Sequence, residues 1–471
     1  MKQYMASCDT LGVLGKYTKS GQNLFAKNSD RDAAEAQLLK YFPAEDHPNG
    51  SKQKCTYIEV LQVPHTYAMI GSQPWWIWGF EHGVNEWGVA IGNEAEWSTV
   101  GPLDEDLLLG MDIIRLALER SKTAKEAVDV ITFMIEIYGQ GGACRYQYAR
   151  ADYNYHNSFL VTDKNDCYLV ETCQRQWAVK KIEDYKGISN VYSLEDDYDS
   201  SSERIREFAL ENGVYQVGTP LNFSKSFQLM LPAKCSGYPR AQRSNKLLKE
   251  KEGQMDVAEM SKILRDHYEG EIIENRYSPA STFVPTICMH CSDGGSQTAA
   301  SMIVDYHDSI YPELYYTCWC SMAPACTSIL VPYYNTGFIP EKLGIGTNKY
   351  SEDSFWWKMK RLNVAIESDY TKYAPVFRKT QEELEKQFLD LAQKKEVEAR
   401  LLLDLKKKEE ARKVLNEFSV SCLEKVEETV DRFIEEFEND LLENKNDQIY
   451  RAPFLRQYKM QVGMGTHKKI R

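Results

Sequence analysis

Cys8-Asp9-Thr10 stands behind a short polar leader, residues 1–7, at the point where the pattern of a β-strand begins. Two readings fit that placement. In one, Cys8 is a small buried thiol in a first strand. In the other, it is a nucleophile that becomes the N-terminus once the leader is removed, and it then carries its own base. A thiol with a reference pKa of about 8.5 would sit beside an α-amine of about 7.7–8.0, so the amine can take the thiol proton and later hand it to a leaving amine. While the leader is attached that nitrogen is an amide, which is no base near neutral pH. The second reading therefore requires cleavage before Cys8.

Other catalytic patterns are missing or incomplete. The eight histidines include no His-Glu-x-x-His, and the chain has no Gly-x-Ser-x-Gly elbow. Gly139-Gln140-Gly141-Gly142 lacks the Gly-Lys-Ser/Thr ending of a phosphate loop and reads as a turn closing a helix. Cys288-Met289-His290-Cys291 together with Cys318-Trp319-Cys320 could supply thiolates to zinc, but the aromatic neighbours of the second pair favour thiols in a core. No metal or other cofactor is expected.

Composition narrows the partners. The chain has 471 residues and a formal net charge of −12, which argues against nucleic acid because phosphate neutralisation needs clustered Lys and Arg. No run of eighteen apolar residues exists and the leader is too polar for a signal peptide, so no membrane contact and a cytoplasmic address are expected. The 12 cysteines show no small-scaffold spacing, which fits reduced thiols in that compartment.

The elements that must position Cys8 are mostly strands. Residues 11–27 read as a hairpin about a turn at 19–23, and further strands are expected at 56–63, 67–71 and 88–91. Two helices follow at 105–120 and 123–137, the second opening on a capping box from Thr123 to Glu126. A second hairpin, 158–162 with 166–171, turns on Asp163, and strands are expected at 281–288 and 298–304. Strand groups separated by paired helices, without βαβ alternation, indicate an α+β fold of antiparallel sheets layered with helices. From about Thr380 the pattern changes: no Gly occurs between 347 and 462, and Leu415, Phe418, Cys422, Val426, Val430, Phe433, Phe437 and Leu441 recur in steps of three and four. That predicts one long amphipathic helix or two, able to pack on their own core or on a second copy in a homo-oligomer.

Several motifs together resemble the secernin and dipeptidase A group of cysteine N-terminal nucleophile (Ntn) hydrolases, and more remotely bile salt hydrolases and penicillin V acylases. They are Cys8-Asp9-Thr10, Lys27-Asn28-Ser29-Asp30-Arg31, Cys55-Thr56-Tyr57-Ile58, the stretch from Gly83 to Ala95, Tyr138-Gly139-Gln140-Gly141-Gly142, Asn157-Ser158-Phe159-Leu160, Leu169-Val170-Glu171-Thr172, Ile287-Cys288-Met289-His290 and Ser296-Gln297-Thr298-Ala299. The match runs in family order through roughly the first 340 residues and is loose beyond, around Phe355-Trp356-Trp357.

The resemblance implies an αββα four-layer sandwich of two antiparallel sheets over residues 8–350, a propeptide of residues 1–7 removed by autocatalysis, and a helical extension over 351–471. It implies a cysteine-type dipeptidase acting on short peptides through a thioester on Cys8. Asp30 would hold the protonated amine, and Asn93 would donate to the oxyanion. Lys27 stands where the remote acylases have an Arg and would lower the thiol pKa, though without a bidentate fork. Asn190 resembles a second Asn of those acylases, and Arg240 or its neighbour Arg243 their late catalytic Arg. Two alternatives remain open: an amidase or acylase on a non-peptide amide, and a secernin-like binding protein whose Cys8 is never freed.

Overall fold

The computed structural model describes residues 8–147, 153–229, 236–271, 285–290, 296–443 and 458–465. The leader, Cys291 and the first half of the strand expected at 281–288 lie outside these residues.

Two antiparallel sheets carry the site. A six-stranded sheet has the spatial order Tyr185–Ile188, Cys8–Val13, Leu24–Asp32, Ser296–Tyr306, Tyr316–Met322, Val331–Tyr334. An eight-stranded sheet runs Ser200–Ser201, Gln176–Lys181, Cys167–Cys173, His156–Thr162, Ala90–Glu96, His82–Asn85, Met69–Pro74, Gln37–Phe42. They face one another closely. A Cβ built at Gly92 would lie 2.6 Å from the Lys27 side chain, so only glycine lets the strands approach there. Helices Gly110–Arg120 and Ala124–Ile137 cover the outer face of the larger sheet, with Ile113, Ile114 and Ile131 packed in one cluster with Phe159, Val161 and Val170. This is the expected α+β sandwich of two antiparallel sheets between helical layers.

Local chemistry explains most of the elements. Strand periodicity sends Cys8, Thr10 and Gly12 between the sheets and Asp9 to the outer side, the arrangement needed for a nucleophile with a supporting neighbour. Asp163 makes the tight hairpin turn by accepting from the backbone N–H of Asn165 at 2.7 Å and of Asp166 at 2.8 Å. Thr123 caps the second helix by accepting from Glu126 N at 3.1 Å, while Glu126 reaches back one residue further than a capping box requires, to Lys122 N at 2.7 Å. The first helix starts at Gly110 rather than 105, where Asp112 accepts from Leu109 N at 3.2 Å.

Two expected strands differ. Of 56–63 only Glu59–Leu61 is strand, paired with Lys52–Lys54 in a separate two-stranded ribbon. Residues 285–288, the described half of 281–288, are irregular.

Among the described residues the C-terminal region holds the helices Phe355–Ser368, Tyr370–Asp404 and Lys408–Glu443 and a short helical segment at 458–462. Tyr370–Asp404 and Lys408–Glu443 make an antiparallel hairpin, with Tyr373 stacked on Phe437 at 4.4 Å between ring centroids. The reversal uses Lys406 in the left-handed region (φ 60°), with Lys406 N donating to Leu403 O at 2.9 Å and Lys407 N to Leu402 O at 2.8 Å. That is a Schellman motif built without glycine. The apolar faces join the cluster of the six-stranded sheet, and Trp356 donates its indole N–H to Ala299 O at 2.9 Å. No described helix is long and apolar enough to cross a membrane.

Candidate active site

Cys8 is the first residue of its strand and only 5% exposed, at the wall of a small recess. Asp30, Arg31, Glu35, Glu81, Asn93, Tyr153 and Tyr155 share that recess. Strand pairing sets Cys8 opposite Ser29, which brings Asp30 alongside. The Asp30 backbone N–H donates to Cys8 Sγ at 3.3 Å.

The main chain of Cys8 is held from the opposite side. Its N–H donates to Asn190 Oδ1 at 2.8 Å, and its carbonyl accepts from Ser189 Oγ at 3.2 Å and Arg240 Nη1 at 2.9 Å. Arg240 lies on helix Gly237–Glu250, fully buried, and also donates to Asp9 Oδ2 at 2.6 Å and Asn190 Oδ1 at 2.7 Å. Arg243, one turn on, points elsewhere and pairs with Asp266 at 2.6 Å. Of the two arginines, Arg240 is the one brought to Cys8.

Lys27 projects from the second strand into the space between the sheets. Its ammonium donates to the Asn93 carbonyl and lies 3.5 Å from Glu94 Oε1, with both side chains fully buried. Burial works against its charge, but the negative charges of Cys8, Glu94, Glu81 and Asp30 outweigh that and hold its pKa above the ordinary value. The Cys8 thiol is pushed well up by burial, with Lys27 pulling it down. A free thiolate here needs a proton acceptor or a solvating substrate.

Asn93 sits at the centre of an amide chain. Its Nδ2 donates to Asn157 Oδ1 at 2.9 Å and points a second hydrogen at the weak acceptor Met111 Sδ at 3.5 Å. Asn157 donates to Gln140 Oε1 at 2.8 Å, and Gln140 to Thr172 Oγ1 at 2.8 Å. The partners of Asn157 determine which way each amide faces.

Of the six predicted residues, Cys8, Asp30 and Asn93 line the recess, Asn190 and Arg240 hold the main chain of Cys8 from behind, and Lys27 reaches the Asn93 carbonyl between the sheets. Sequence reasoning missed Asp9, Ser189 and Glu94, and gave no role to Gln140, Asn157 and Thr172, although five of the six fall inside the motifs it quoted and Ser189 directly precedes Asn190. The ion-paired wall, with Arg31 bridging Glu35 at 2.7 Å and Glu81 at 3.0 Å, was also missed. Only the register of distant strands reveals these pairings.

Burial pushes the Glu94 carboxyl from its ordinary 4.5 up to about 8, against the pull of Lys27. The folded chain holds a proton there that the unfolded chain releases, so stability falls as pH rises from about 4.5 to about 8. Asp9, raised to about 6 chiefly by burial, adds a similar slope only at lower pH. Glu94→Gln is therefore expected to flatten the loss of stability between roughly pH 6 and 8, by up to about 1.4 kcal/mol per pH unit. Urea midpoints at the two pH values check it, and parallel profiles for the two proteins would contradict it.

No protein-family model matches the chain. Among solved structures, two variants of conjugated bile acid hydrolase from Clostridium perfringens are similar at 13% and 12% identity, each with a TM-score of 0.40. They cover 74% and 73% of this chain and 98% of their own. An N-acylethanolamine-hydrolyzing acid amidase ortholog from Caenorhabditis elegans is similar at 12% identity and a TM-score of 0.32, covering 63% of this chain and 92% of its own.

Proposed function

We propose that this chain is an Ntn-type cysteine hydrolase of amide bonds whose substrates are short peptides. The observation that carries the reading is the grip on Cys8: its nitrogen on Asn190, its carbonyl on Arg240 and Ser189, and its sulfur beside Asp30 N, all at the edge of a recess that also holds Asn93. Once residues 1–7 are gone, the nitrogen held by Asn190 is an α-amine. It takes the thiol proton, and Sγ attacks the substrate carbonyl. The carbonyl π electrons move onto oxygen, where Asn93 Nδ2 donates the hydrogen it otherwise points at the weak acceptor Met111 Sδ; collapse expels the amine with the proton the α-amine returns. Water then hydrolyses the thioester and frees the thiol.

The recess wall favours a peptide over an apolar acyl amide. Arg31, Glu35, Glu81 and Arg145 line it in ion pairs, Arg145 with Asp32. The ammonium and carboxylate of a short peptide can exchange into such pairs, the partly exposed Asp32–Arg145 pair first, whereas a hydrocarbon tail offers them no partner. A panel of dipeptides set against N-acyl amides tests this, with the dipeptides expected to turn over and the amides not. On the best dipeptide, Asn93→Ala is expected to lower kcat by about 10²–10³ with little change in KM, the signature of a donor that acts in the transition state. Turnover of the acyl amides alone would overturn the peptide assignment.

A further inference from the structure

On the face of the six-stranded sheet that carries Asn28, away from the recess, four buried side chains from three separate segments converge. His267 follows helix Val257–Leu264, Cys288 and His290 precede strand Ser296–Tyr306, and Cys326 follows strand Tyr316–Met322. One ligand atom from each lies within 4.8 Å of all the others. His267 Nε2 is 3.2 Å from His290 Nε2, and His290 Nε2 is 3.7 Å from Cys288 Sγ and 3.3 Å from Cys326 Sγ.

These separations match one centre. With Zn–N of about 2.0–2.1 Å and Zn–S of about 2.3 Å, a tetrahedron places its ligand atoms about 3.3 Å apart for two nitrogens and about 3.6 Å for nitrogen and sulfur. We propose that His267, Cys288, His290 and Cys326 form a structural zinc site. Two thiols release their protons on binding, and the divalent charge meets two thiolates and two neutral imidazoles, leaving a buried centre with no net charge.

The surroundings suit such a site. His290 Nδ1 donates to Glu367 Oε1 at 2.6 Å, which leaves Nε2 as the ligating atom. His267 Nδ1 lies between Glu269 Oε1 at 3.5 Å and Arg378 Nη2 at 3.2 Å; with Nε2 on the metal, Nδ1 keeps its proton and faces the Glu269 carboxylate, which Arg378 also approaches at 3.8 Å. Carboxylates behind metal-bound histidines set the ring orientation and strengthen the bond. With four protein ligands the centre is closed, which is the arrangement of a staple rather than of a catalytic metal. Its ligands adjoin Leu264 and Ile287, whose carbonyls accept from Asn28 Nδ2 at 2.7 Å and 3.0 Å. The staple would thereby brace the strand that presents Lys27 and Asp30. The thiols of Cys318 and Cys320, 3.4 Å apart in a strand, belong to the core and not to this group.

Elemental analysis of the full chain, purified under reductant without chelator, is expected to find stoichiometric zinc. Cys326→Ser and His290→Ala should lose it, and Cys318→Ser should retain it. Because the two ligand variants risk misfolding, wild-type protein is also stripped and titrated with Co(II). Intense tetrahedral ligand-field bands with thiolate-to-cobalt charge transfer, abolished by added zinc, support the site. No zinc above background together with a weak six-coordinate cobalt spectrum overturns it, as does a Cys288–Cys326 disulfide in a peptide map of the reductant-purified protein.

Discussion

Cys8→Ala protein is expected to keep residues 1–7 and to hydrolyse no dipeptide above background, while wild-type protein begins at Cys8 and turns over. Intact mass and a dipeptide assay on the same two preparations read both results. The two losses share a cause. Cleavage of the leader and cleavage of substrate both need a thiolate at this position, and alanine has no atom that can form the thioester. The variant should fold normally, since Cys8 contributes one small buried group whose sulfur makes only a weak contact with Asp30 N at 3.3 Å. If wild-type protein keeps its leader, the nitrogen on Asn190 remains an amide. The hydrolase reading then fails, and a binding role for the C-terminal helices takes its place.

The second large effect is on stability. Arg240→Met is expected to cost about 3–5 kcal/mol, because it removes one partner of a fully buried ion pair and strands the other. The guanidinium serves four acceptors: Asp9 Oδ2, Cys8 O, Asn190 Oδ1 and Ser236 O. Methionine replaces the volume and none of the donors. Asp9 is already raised to about 6 by burial, with Arg240 holding it down, so loss of Arg240 pushes its carboxyl higher still. A carboxyl raised in the fold makes stability fall with increasing pH above its unfolded pKa, and the variant should be hurt less at pH 5 than at pH 8. Asp9→Asn combined with Arg240→Met should recover part of the loss. Urea unfolding of the two single variants and the double measures the coupling, and strictly additive losses would show that the pair does not interact.

What was legible in the sequence is what neighbouring residues decide among themselves. The Cys8 hairpin, the Asp163 turn, the Thr123 cap and the apolar stripe from Leu415 to Leu441 depend on period and capping within a few residues. Each appears nearly where it was expected. The segment 56–63 misled because its alternation is real but most of it finds no sheet: only Glu59–Leu61 pairs, in a ribbon with Lys52–Lys54. A strand needs a partner, and the period of two says nothing about whether one is near. The gap in glycine from 347 to 462 likewise concealed the reversal at Lys406, where hydrogen bonds hold a lysine in a conformation glycine would adopt more readily.

The site divides the same way. The family resemblance, carried by the order of motifs, pointed to Lys27, Asp30, Asn93, Asn190 and Arg240 beside Cys8, and residue chemistry alone pointed to Cys8, because only certain side chains can act as nucleophile. Only the tertiary structure decided who meets whom. Asp9 pairs with Arg240, 231 residues away, and Lys27 with Glu94, 67 away. Cys288 and His290 meet His267 and Cys326 rather than Cys318 and Cys320. Long-range pairing depends on which strands and helices pack, and that follows from the burial of whole faces, a property no single stretch of the chain carries.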